Sequence, residues 1–142
     1  MNTTTQTTLT DTQFLAAFEQ CELTGAQFDH QGHLRIACLW LQRGTLDEAI
    51  QKTCTGIQRL ATHLGTPGKF HRTVTEALVR LMAHRGASSL SWVEFLRTNP
   101  ELMSDARALL ARHYSQQRLS DPRARLEFLE PDREPLPHAE AT

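Results

Sequence analysis

The stretch from Thr45 to Gly65 constrains this chain more than any other. Thr45 and Glu48 have the T-x-x-E spacing of a capping box, in which the hydroxyl accepts from a first-turn amide and the glutamate reaches back to the cap amide. Behind them Ala49, Ile50, Ile57, Leu60, Ala61 and Leu64 recur at helical period, and Gly65 stands where a helix would stop. A long helix with one apolar face must bury that face against other elements. Alternating runs rich in β-branched residues, the mark of strands, are almost missing elsewhere, so those elements are predicted to be helices.

The rest of the chain supplies them. Phe14, Leu15, Phe18 and Cys21 follow a cap at Thr10 or Asp11 and predict a first helix ending near Leu23. Asp29 caps a second, which carries Leu34, Ile36, Ala37, Cys38, Trp40 and Leu41 inward until Gly44. After the Thr66-Pro67-Gly68 turn a fourth helix runs from about Phe70 through Val74, Leu78, Leu81 and Met82 to Gly86. Ser91 and Glu94 form another capping box ahead of Trp92 and Phe95, Asn99-Pro100 breaks that short helix, and Ser104 caps the next. Beyond Asp121-Pro122 the pattern allows either a last helical turn or an extended strap.

The predicted fold is therefore all-α: a compact bundle of four core helices plus short C-terminal helices. One domain spans 11–130, with disordered ends at 1–10 and 131–142. Ile57 and Leu78 are expected in the core, and loss of 132–142 is expected to change little.

Charge and cysteines narrow the function classes. Fifteen Lys and Arg stand against 16 Asp and Glu with no basic stripe, which argues against a nucleic-acid surface. No apolar run approaches the roughly eighteen residues of a membrane span, and residues 1–9 lack the pattern of a signal peptide, so no membrane partner and a cytoplasmic location are expected. Cys21, Cys38 and Cys54 are odd in number and lack C-x-x-C pairing, which fits reduced thiols rather than a disulfide framework.

The chemistry-bearing residues are histidines. His30 and His33 are three apart at the start of the second helix, so they share a face. His71 opens the fourth helix, and up-down connectivity brings the starts of helices two and four to one end. Three neutral imidazoles with an open position form the ligand set of a catalytic zinc, iron, copper or manganese site, so a divalent metal is the expected cofactor. The positive ends of two helix dipoles would equally favour a small anionic ligand, with Arg35, Lys69 and Thr75 as helpers. His63, His84, His113 and His138 are read as surface or structural, Asp29 as a cap, and Tyr114 as packing.

Four segments carry a resemblance: FDHQGHLR from Phe28 to Arg35, GKFHRTVT from Gly68 to Thr75, WVEFLRTNP from Trp92 to Pro100, and HYSQQRLSDPRAR from His113 to Arg125. Over residues 11 to 130 the chain resembles a family of small all-helical bacterial proteins. Its pattern reads F-x-H-x-x-H-(L/V)-R, then K-(F/Y)-H-x-T-(I/V)-T. The resemblance implies that His30, His33 and His71 belong to one shared pattern, and it implies no activity.

The expected function is thus a small metal- or ligand-binding helical protein with a three-histidine pocket, in which enzymatic activity and self-association are both left open. The alternative is a non-catalytic interaction module whose histidines are structural.

Overall fold

A computed structural model of the protein describes residues 9–137. Every element among them is helical. The long ones are α1 (Asp11–Glu19), α2 (His30–Leu41), α3 (Leu46–His63) and α4 (Arg72–His84), and a 3-10 turn at Pro67–Lys69 precedes α4. Five short helices follow: α5 (Trp92–Thr98), α6 (Glu101–Ser104), α7 (Ala106–Ala111), α8 (Gln116–Ser120) and α9 (Pro122–Leu126). The all-α class and the four core helices stand as read from the apolar periods.

Local chemistry explains the starts. Both halves of the capping box form at Thr45 and Glu48, with bonds of 3.1 and 2.9 Å. Thr10 and Gln13 make the same reciprocal pair ahead of α1, and Asp29 Oδ1 accepts from the Gly32 amide at 2.8 Å ahead of α2. At Ser91 only one half forms, since the hydroxyl accepts from the Glu94 amide while that carboxylate pairs with Arg97.

α2, α3 and α4 pack on one another, α1 lies across α2 and α3, and α9 and α7 lie against α4. The main core joins Phe18, Ile36, Leu39, Leu60 and Met82, all fully buried. A smaller cluster of Ala77, Leu81, Leu110 and Tyr114 holds the C-terminal helices to the opposite side of α4. Among the described residues no helix is long and apolar enough to cross a membrane.

Several boundaries differ from the sequence reading. α1 ends at Glu19, because the chain reverses through Cys21 at φ 58°, and Leu23 is buried from the irregular stretch that follows instead. α2 closes before Gly44, and α4 begins at Arg72 because the 3-10 turn through Pro67 uses the residues before it. Ser104 does not cap α7. It ends α6, with its hydroxyl donating to the Pro100 carbonyl at 3.2 Å.

The Arg123–Glu130 segment takes both forms left open: α9 ends at Leu126 and an extended strap follows. Thr73 Oγ1 donates to the Glu127 carbonyl at 2.9 Å and accepts from the Leu129 amide at 3.1 Å, while Tyr114 donates to the Leu129 carbonyl at 2.7 Å. The tail expected to be disordered from residue 131 is docked as far as it is described. Arg133 and Glu134 donate their amides to the carbonyls of His113 and Arg112, and Asp132 accepts from Ser115. Residues 1–8 and 138–142, which include His138, lie outside the described residues.

Of the two core residues singled out above, Ile57 is 3% exposed, but Leu78 is only half-buried in a pocket wall. Ile57→Ala should therefore cost about 2–5 kcal/mol. Both side chains line the pocket, but Leu78→Ala should cost clearly less, because Leu78 is already partly exposed and truncation there removes less buried apolar area. Urea midpoints of the two variants measure the order.

Candidate functional site

The ends of α2 and α4 meet as the connectivity requires, and a pocket of about 440 Å³ opens between them and α3. His30, His33 and His71 all border it, as do Lys69 and Thr75. Most of the remaining wall is apolar and includes Phe28, Leu34, Ile57, Leu78 and Met82.

The three imidazoles are not equivalent. His71 is the N-cap of α4: its Nδ1 accepts from the Val74 amide at 3.1 Å, so Nε2 carries the proton and donates to the Leu119 carbonyl at 3.0 Å. Both ring nitrogens are occupied. His30 donates from Nε2 to the Leu102 carbonyl at 2.7 Å, tying α2 to α6. His33 donates from Nδ1 to the Asp29 carbonyl at 2.8 Å, which leaves Nε2 as the lone-pair nitrogen with no partner among the described residues.

Burial holds the His33 proton affinity below the ordinary histidine value. The neighbouring His30 and Lys69 act in the same direction, whereas the Asp29 carbonyl bond and carboxylate oppose it. His33 is therefore a neutral imidazole at pH 7, with its tautomer set by Asp29.

The donor chemistry does not suit a three-histidine metal centre. An ion needs a lone pair from each ligand, and His71 has given its own to an amide. Among the described residues no group of three or more His, Cys, Asp or Glu is placed to share an ion. At most His30 Nδ1 and His33 Nε2 remain.

The turn before α2 shapes the mouth. Thr24 and Gln27 bond reciprocally, amide to side chain, at 3.2 and 2.8 Å. This brings Phe28 onto the His33 ring, with centroids 4.2 Å apart and planes 17° from parallel. Gly32 makes the approach feasible: a Cβ there would lie 2.1 Å from the Gln27 carbonyl oxygen. Phe28, His33, Ile57 and Lys69 also border a second cavity of about 210 Å³, so the stacked pair stands between the two spaces. Arg125 donates to the carbonyls of Gly68 and Phe70 and so anchors the turn that presents Lys69.

Arg35, expected as a cationic helper, is elsewhere. Its guanidinium reaches the Leu9 carbonyl at 2.8 Å and Asp11 at 2.9 Å, and stacks 4.4 Å above the Phe14 ring. The charge of Asp11 and the face of Phe14 outcompete the pocket for it. Lys69 is exposed at the mouth and Thr75 is half-buried in the wall.

Thr53 was not anticipated. It is 1% exposed, borders the pocket, and its Oγ1 has no hydrogen-bond partner among the described residues. The only sequence signal is a hydroxyl on the apolar face of α3, which is weak because helical threonines usually bond their own backbone.

The other histidines and the cysteines do not add to the site. His63 and His84 are exposed, and His113 is buried with Nδ1 donating to the Glu134 carbonyl at 2.9 Å. Burial raises the Cys38 and Cys54 thiols to about 12 and about 11, far from a reactive thiolate at pH 7. Comparison with family models, with curated proteins and with solved structures returned no match to this chain.

Proposed function

We propose that this protein binds a small amphipathic molecule in the pocket between α2, α3 and α4, with His33 as the proton-accepting group at its polar end. The observation that carries this reading is the combination of a sizeable, mostly apolar pocket with one neutral imidazole whose Nε2 is unspent. Ligand sites of small proteins have this composition: apolar walls with a few convergent polar groups.

His30 and His71 play different parts. Each spends a proton on a distant backbone carbonyl, so they hold the pocket's rim together, and His71 also caps α4. His33 is oriented by Asp29 as a general base would be by its carbonyl or carboxylate partner, so a bound molecule with an acidic O–H or N–H would find an acceptor there.

Titration with 1-octanol, a neutral amphipathic probe, tests the pocket. Saturable NMR shift changes centred on Ala37, Ile57 and Leu78 are expected. Changes that are absent or scattered over the surface would refute the reading. Elemental analysis of untagged protein tests the metal alternative, and stoichiometric metal lost on His33→Gln would replace this proposal with it.

A further inference from the structure

The polar groups of the pocket are segregated along it. His30, His33, Lys69 and His71 border it where α2 and α4 begin, whereas Ala37, Val79 and Met82 border it further along the same helices. From His71 to Met82 the wall follows most of α4, roughly 16 Å at the helical rise. Toward that inner end the polar group is Thr53, buried and, among the described residues, without a partner for its hydroxyl.

The outer end holds groups that can bind an anion. Lys69 brings a full positive charge, and the amide ends of two helices of 12 and 13 residues add partial ones. Asp29 is the opposing charge: its carboxylate accepts from the Gly32 amide as the α2 cap and still acts on His33, so an anion would be held by its direct contacts with Lys69 and the free His33 nitrogen rather than by net charge. The titratable groups around His33 are Asp29 from the preceding turn, His30 on α2, Lys69 from the 3-10 turn and His71 at the α4 cap. α3 contributes only uncharged groups to this pocket, Thr53 and Ile57.

We infer that the pocket takes a small, largely apolar monocarboxylate, its carboxylate between Lys69 and Nε2 of His33 and its chain running inward toward Thr53. This rests on the pocket being a binding site, as proposed above. Binding takes one proton from solvent: the neutral imidazole, a proton and the carboxylate become an imidazolium–carboxylate pair, with an N–H bond formed at Nε2 and none broken in the ligand.

The sign of the pH dependence follows. The bound anion raises the proton affinity of His33, so the complex holds more protons than its separated parts, and affinity falls as pH rises from 6 to 8. Where a full proton is taken up the slope approaches tenfold per pH unit.

Isothermal titration at pH 7.5 in phosphate and in Tris, buffers of different ionisation enthalpy, measures that proton directly. Octanoate is expected to bind with uptake approaching one proton. His33→Gln should abolish the uptake, while His63→Gln, at an exposed histidine that does not border the pocket, retains it. Lys69→Met, at an exposed position, should weaken octanoate at least fivefold and leave 1-octanol unchanged. Thermal melts establish that each variant is folded. If octanoate binds without proton uptake, or if 1-octanol or octylammonium binds more tightly, the inference is overturned while the pocket stands. If none of the three binds, both fall.

Discussion

Phe18→Ala is expected to lower stability by about 3–5 kcal/mol, the range for emptying a fully enclosed aromatic site. Phe18 has no solvent exposure, and its ring fills the space between α1 and α3 beside Gly56. The fit is close: a Cβ at Gly56 would come within 2.2 Å of one ring carbon and 2.3 Å of another. α1 has only nine residues and depends on this anchor more than the longer helices depend on any single side chain. Since a domain has only about 5–15 kcal/mol in total, the loss is a large share of it.

The same contact makes a second-site experiment informative. In an open helix Gly→Ala would stabilise by about 1 kcal/mol. Here the methyl group collides with the Phe18 ring, so overpacking should reverse the sign and cost about 1–3 kcal/mol. In a Phe18→Leu background that penalty should shrink or vanish. Urea unfolding of the four proteins measures the coupling, and simple additivity would show that the two residues do not share the space described.

Thr73→Val is the second large effect, expected at about 2–3 kcal/mol although it conserves shape. Thr73 is fully buried, and its hydroxyl serves two backbone groups of the strap at once, the Glu127 carbonyl and the Leu129 amide. Valine removes both bonds and strands the buried amide, a penalty of roughly 1–3 kcal/mol for that group alone. Thr75→Val, at a half-buried position in the pocket wall, should be nearly neutral. Proteolysis within 127–137 should accelerate for Thr73→Val and not for Thr75→Val. A loss below about 0.5 kcal/mol would mean the strap is not held by this hydroxyl.

The contrast between these two threonines shows where sequence reasoning stops. Both lie on α4 two residues apart, and nothing in their local pattern separates a core linchpin from a pocket wall. The partners of Thr73 are more than fifty positions away. The same holds for the histidines. Spacing placed His30 and His33 on one face, and connectivity brought His71 to the same end, because helix period and short loops are local properties. Which ring nitrogen remains open depended on carbonyls at Leu102, Leu119 and Asp29, and only the last of these is near in the chain. Arg35 was drawn to Asp11 and Phe14 for a similar reason, since a flexible cation goes to whichever charge and ring the fold brings within reach.

Apolar periodicity, capping residues and turn signals by themselves determined that the chain is helical, where its long helices lie, and which ends meet. These follow from interactions within a few residues, where sequence distance and spatial distance agree. The docking of the 127–137 strap, the division of three similar imidazoles into His71 with both nitrogens committed and His30 and His33 with one each open, and the burial of Thr53 with an unspent hydroxyl were decided only by tertiary structure. Each depends on a backbone group or a wall supplied by a remote segment, and hydrogen-bond direction and burial are properties of the assembled fold rather than of any stretch within it.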